Sequence, residues 1–192
     1  MKNEINRIAG RLVKAYNTNT VINPIPVKYC KNINLANKLR KLCEDQIKDE
    51  TIGIKAGGTG IQALKKLKEK EPFTAKVFKK RLVKSGQKVK INQHTKGIEV
   101  EVYYFIKKSF FDFKGKVTKS NVTKFIKFMG PCFEIVGFRQ RNKKFTYLGD
   151  ICGDFGFNIK FVVGRKTKFR KLNLNNLKTC LLYTSPSPRD RS

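Results

Sequence analysis

Glu99 and Glu101 stand one residue apart in Gly97-Ile98-Glu99-Val100-Glu101-Val102-Tyr103-Tyr104-Phe105-Ile106, a run that otherwise has the composition of a buried strand. Side chains alternate along a strand, so the two carboxylates share a face with Tyr103 and Phe105, about 6.5–7 Å apart at the backbone. Ile98, Val100, Val102, Tyr104 and Ile106 take the other face. A third glutamate, Glu134, is set among apolar residues in Pro131-Cys132-Phe133-Glu134-Ile135-Val136. The chain has 14 acidic residues against 43 basic ones, so three carboxylates placed on apolar strands call for a partner. Unpaired, they repel one another and are costly to desolvate, and a hard divalent cation relieves both problems. Oxygen ligands with open positions suit Mg²⁺ or Mn²⁺. An edge strand with a solvated polar face would also accommodate Glu99 and Glu101 alone. Glu134 moves the reading to a metal site.

Two further features bear on chemistry. Gly57-Gly58-Thr59-Gly60 follows a short strand and opens a helix, a setting in which backbone N–H groups bind anions. It lacks the Gly-Lys-Ser/Thr of a nucleotide loop and the third glycine of a dinucleotide fingerprint. Lys55 precedes it at the end of the strand, where a lysine can polarise a carbonyl or bind a carboxylate. Its alternative is one more surface lysine. His94, the single histidine, falls in a polar loop with no obvious partner, which argues for a structural or solvated role. The five cysteines (30, 43, 132, 152 and 180) include no Cys-x-x-Cys spacing, so neither zinc nor a disulfide framework is expected.

The elements that must position these residues can be read from periodicity. Ile5, Ile8, Ala9, Leu12, Val13 and Tyr16 make an amphipathic helix. Pro24 and Pro26 mark an extended connector. Asn34 is positioned to cap a second helix bearing Leu35, Leu39, Leu42, Cys43 and Ile47. Strands are expected at 51–55, 87–91, 97–106, 131–138 and 157–163. Helices are expected from Ile61, at about 119–128 and at about 146–152. The class is α+β, an N-terminal helical region (1–50) followed by a β-rich domain (51–179).

The 192 residues suffice for one domain with a sizeable core. No apolar run reaches the roughly 18 residues of a membrane span. The N-terminus lacks the apolar stretch of a signal peptide, which sets the expectation of a cytoplasmic protein with no membrane partner. The net charge of +29 raises nucleic acid as a partner class, yet no recognised binding module accompanies it. It is read mainly as a solvated lysine face that also favours small anions. Residues 180–192, ending Ser185-Pro186-Ser187-Pro188-Arg189-Asp190-Arg191-Ser192, resemble the translation of a sequencing-library adaptor. They are expected to be non-native, with the natural protein continuing beyond about Thr179.

An ordered set of motifs resembles the 2-keto-4-pentenoate hydratase / 2-oxohex-3-enedioate decarboxylase branch of the fumarylacetoacetate hydrolase superfamily. It comprises Ile52-Gly53-Ile54-Lys55-Ala56-Gly57, Glu71-Pro72-Phe73, Glu99-Val100-Glu101, Pro131-Cys132-Phe133-Glu134-Ile135-Val136, Gly149-Asp150-Ile151-Cys152-Gly153-Asp154 and Phe161-Val162-Val163-Gly164. The resemblance implies N-terminal helices and a mixed β-roll, incomplete at the C-terminus, in a chain that forms homo-oligomers when whole. It implies Mg²⁺ or Mn²⁺ on Glu99, Glu101 and Glu134, with Lys55 and Asp154 as catalytic residues. Gly57, Thr59 and Arg139 are expected to bind substrate. The implied activity is hydration of a small 2-oxo or 2-hydroxydienoate acid such as 2-hydroxypenta-2,4-dienoate. The alternatives are decarboxylation, acylpyruvate-type C–C hydrolysis, an inactive paralogue, or a basic nucleic-acid-binding protein. This chain departs from the family pattern at Ile54 (usually Trp), Phe155 (usually Asn), Gly137 (usually Asp) and Thr95-Lys96-Gly97 (commonly Gln-Pro-Arg). The ligand positions are intact and their surroundings are altered.

Overall fold

The structure is a computed structural model and describes residues 2–91 and 94–173. The expectations for residues 180–192 fall outside the described residues. The described residues form two compact units. The first holds residues up to Glu101 together with Pro131–Arg165, and the second holds Val102–Gly130 with residues from Lys166 onward.

In the first unit, helix α1 (Lys2–Thr18) buries Ile5, Ile8, Ala9, Leu12 and Tyr16, the stripe read from the sequence. A short helix α2 (Lys28–Lys31) leads into α3 (Ile33–Asp45). Asn32, not Asn34, caps α3: its side-chain oxygen accepts from the backbone N–H of Asn34 at 3.0 Å and Leu35 at 3.1 Å. The cap needs an extended residue whose oxygen reaches back to the first turn, and Asn32 has that conformation. Strand β1 (Thr51–Gly57) pairs antiparallel with β2 (Phe73–Phe78), with Lys55 opposite Ala75. The one-turn helix α4 (Ile61–Lys66) lies between them. The core joins Leu12, Tyr29, Leu39, Cys43 and Phe78 to Phe155, and a second cluster joins Ala36, Phe73, Ala75 and Leu148.

The larger sheet runs β3–β6–β5–β4, where β3 is Leu82–Lys84, β4 Thr95–Ile106, β5 Ile126–Gly137 and β6 Asn158–Val163. Strand β3 is parallel to β6, and β6 is antiparallel to β5 with Glu134 opposite Phe161. Helix α5 (Leu148–Cys152) precedes β6, and its Asp150 carboxylate accepts from the N–H groups of Thr146 and Tyr147. In the second unit, β7 (Thr167–Lys168) pairs with the start of β5, and Phe110 and Phe113 pack on Phe125 at 5.4 and 5.0 Å.

Three further expectations need correction. Residues 87–91 are irregular, and Ile91 is exposed. Among the described residues their period-2 pattern pairs with no strand, and the ends of the larger sheet's strand order are β3 and β4. The helix at 119–128 is a single 3₁₀ turn, Val122–Phe125, that runs straight into β5. Val122, Phe125, Ile126 and Met129 show helical spacing, but β-branched Val122, Thr123 and Ile126 favour the extended chain. Finally, β4 is not buried. Ile98, Val100, Tyr104, Phe105 and Ile106 are all exposed.

Candidate metal centre

Strand β1 turns the usual pattern inside out. Ile52 and Ile54 are exposed, Ile54 by 72%, whereas Gly53, Lys55 and Gly57 make the half-buried face. A strand that sends a lysine inward and isoleucines outward has placed a charge for a purpose other than solubility. The flanking glycines leave room: a Cβ on Gly57 would stand 2.4 Å from the Phe73 ring. Lys55 Nζ lies 2.5 Å from Glu134 Oε1 and 2.9 Å from the carbonyl oxygen of Gly156.

Glu134 is the buried member of the carboxylate set, 2% exposed, while Glu99 and Glu101 are solvent-facing. One oxygen from each of the three lies within 4.8 Å of the other two. Burial pushes the Glu134 carboxyl up to about 7 despite the pull of Lys55, with Glu99 and Glu101 adding to the rise. Glu101 is raised too, by desolvation and then by Glu99. Burial lifts the neighbouring Cys132 thiol to about 11, helped by Glu134 and Glu101. Burial is the leading cause of all three shifts, and the crowding of negative charge adds to each.

The residues present fit a hard divalent cation. All three donors are carboxylate oxygens, the class that Mg²⁺, Mn²⁺ and Ca²⁺ take. The three donor oxygens all lie within 4.8 Å of one another, close enough for a single cation to draw on all of them. Two of the three carboxylates are solvent-facing, which leaves room for water or substrate on the ion.

Arg139 and Asp154 are brought to each other rather than to the carboxylates. Both are buried. Arg139 Nη1 meets Asp154 Oδ1 at 3.1 Å, while Asp154 Oδ2 accepts from the Arg139 backbone N–H at 2.8 Å and Gln140 Nε2 at 3.1 Å. The same guanidinium donates to the carbonyls of Asp154 and Asn158 and lies 5.0 Å from the Phe155 ring centroid. It thereby clamps a turn in which Phe155, Gly156 and Phe157 all have positive φ, at 53°, 67° and 71°. Two aromatic residues in the left-handed region are costly, and such strain persists only where surrounding bonds enforce it. The turn presents the Gly156 carbonyl to Lys55.

Thr59 is exposed in the loop after β1, and Gly58 there has φ +71°. The helix that follows has only six residues, so the anion-binding helix start read from the sequence is a weak feature. His94 lies just before β4, its carbonyl packed against Gly137. Periodicity did not disclose the Lys55–Glu134 pair or the strained turn. The available signal was a glycine between two phenylalanines, Phe155-Gly156-Phe157, directly after an aspartate.

No protein-family model matches this sequence, and no curated protein does. Solved structures do resemble it. "4-oxalocrotonate decarboxylase from Pseudomonas putida G7", complexed with magnesium and adipate, matches 88% of the chain with TM-score 0.67 and 15% identity. The same enzyme complexed with calcium and acetate matches with TM-score 0.70 and 16% identity. The chain spans 65% and 64% of the length of those two structures. At such identity the likeness speaks for the fold alone: α+β with N-terminal helices and a mixed sheet, the class expected from the sequence, shared with 4-oxalocrotonate decarboxylase over 88% of this chain.

Proposed function

We propose that this chain belongs to a metal-dependent lyase acting on a small 2-oxo acid, with Mg²⁺ or Mn²⁺ held by Glu99, Glu101 and Glu134. The observation that carries the reading is the convergence of three carboxylates within 4.8 Å beside an inward-facing lysine. A divalent ion there would supply Lewis-acid stabilisation of the negative charge that develops on a 2-oxo group.

The chain's own residues do the rest. Glu134 is immobilised by burial and by Lys55, which fixes one ligand position. Lys55 is the nearest fixed positive charge and the residue proposed to meet the substrate carboxylate or its migrating proton. Gly57 and Thr59, two and four residues further along, are proposed to line the substrate side. Arg139 and Asp154 act through the turn they hold: they place the Gly156 carbonyl, which in turn orients Lys55. Arg139 has its donors committed inside the protein, so its contribution is positioning.

The first activity to assay is hydration of 2-hydroxypenta-2,4-dienoate, followed by loss of the dienol absorbance. Decarboxylation is the second reading, favoured by the fold likeness to a decarboxylase. Release of CO₂ from 2-oxohex-3-enedioate without hydration product would select it. Thermal stabilisation by Mg²⁺ or Mn²⁺, abolished in Glu101→Ala, tests the shared foundation. A purified protein indifferent to both ions would sink it.

A further inference from the structure

We propose that Lys55 is a built-in counter-ion: it neutralises part of the carboxylate cluster while the site is empty, and an entering divalent cation displaces it from Glu134. The inference rests on the metal reading above and adds how that site is regulated.

Four observations support it. Three carboxyl groups face one ammonium group, so with the carboxyls ionised Lys55 leaves two of them uncompensated, the deficit a divalent cation balances. Among the described residues Lys55 is the cation paired with this cluster, since Glu99 and Glu101 take part in no ion pair. The lysine side chain is only 10% exposed and that of Glu134 only 3%, so the pair forms largely out of water, where charge competition is strong. The ammonium also has a second acceptor, the Gly156 carbonyl at 2.9 Å, on a turn held by Arg139. Released from Glu134, Lys55 keeps that tether.

Two consequences follow. The cation and Lys55 compete for Glu134, which weakens metal affinity relative to a site without the lysine. Displacement also turns the ammonium from a ligand's partner into a free donor beside the ion, suited to an anionic substrate. Binding should therefore be ordered, with metal first and the carboxylate substrate second.

The test is Mg²⁺ titration by calorimetry on wild type, Lys55→Met and Lys55→Arg. Lys55→Met is expected to bind Mg²⁺ about tenfold more tightly, the scale of one unit charge at short range in a partly solvated site. Lys55→Arg, which keeps the charge, is expected to stay within about threefold of wild type on that scale. Equal or weaker binding in Lys55→Met overturns the counter-ion role while leaving the metal site intact. Absence of binding in both wild type and Lys55→Met overturns the metal reading itself. Should Lys55→Met fail to fold, wild type and Lys55→Arg together answer by resonance. The Lys55 side-chain ¹⁵N resonance, assigned by its loss in Lys55→Arg, is expected to shift on saturation with Mg²⁺. A resonance unmoved while metal binds overturns the proposal.

Discussion

Two buried ion pairs in the first unit make opposite use of charge. Asp154 and Arg139 are matched one to one: both carboxylate oxygens are taken, and the guanidinium bonds to the carboxylate and two backbone carbonyls. Lys55 and Glu134 are matched one to three, with Glu99 and Glu101 adding carboxyls that form no ion pair among the described residues. A saturated pair serves as scaffold, because any change leaves a buried group without a partner. An undercompensated cluster serves as a site, because a ligand can supply what is missing. The family resemblance implies catalytic roles for both Asp154 and Lys55. Their surroundings separate them, and the separation is open to test.

The largest effect belongs to the scaffold. Asp154→Ala strands a buried guanidinium and releases the turn through Phe155, Gly156 and Phe157. Breaking such a pair costs about 3–5 kcal/mol. Urea unfolding of this variant without metal measures the loss, and a change below about 1 kcal/mol, the scale of a surface pair, would erase the distinction drawn here.

The next effect tests the cluster through pH. An ordinary glutamate titrates near 4.5, whereas Glu134 in the folded protein is raised to about 7. Between those values the native state holds a proton that the unfolded state has lost, so stability falls as pH rises and levels off above about 7. At about 1.4 kcal/mol per pH unit the loss across that window is on the order of 3–4 kcal/mol. Glu101, also raised, has the same sign. His94, lowered by burial and then by Lys96, has the opposite one. Comparing wild type with Glu134→Gln, both metal-free, at pH 5 and pH 8 isolates the residue. Wild type should lose stability relative to the variant, and a parallel response would place Glu134 in an ordinary environment. Mg²⁺ stabilisation should run the other way, growing with pH as the ligands deprotonate.

How far the sequence could carry this comparison depended on the range of each signal. The stripe from Ile5 to Tyr16 and the three glutamates were legible because helical period and the scarcity of acids are local properties. The exposure of β4 was not, since Ile98 and Val100 have the same composition whether or not a layer covers them. The strand start at Ile126 was hidden because four apolar residues fell at helical spacing by coincidence. The pairing of Lys55 with Glu134 spans 79 residues of chain and follows from β1 facing its glycines and lysine inward. Nothing within β1 alone announces that choice. Arg139 was legible through a motif, and a motif marks a residue without saying which partners its donors meet, here Asp154 and the Asp154 and Asn158 carbonyls.

The smallest effect discriminates most sharply. Glu101→Gln removes one of the unbalanced charges, and with it the repulsion that Glu99 and Glu134 exert on that position. In the metal-free protein this substitution should raise stability, by less than about 1 kcal/mol because Glu101 faces solvent. The same change should abolish the rise in melting temperature on adding Mg²⁺. Asp154→Asn should do the reverse on both counts, destabilising the metal-free protein while preserving a Mg²⁺ response at temperatures where it remains folded. The opposed signs matter more than their sizes. A residue whose loss strengthens the empty protein and cancels its response to a cation is held at a cost for binding, whereas one whose loss weakens the protein with or without the cation belongs to the frame.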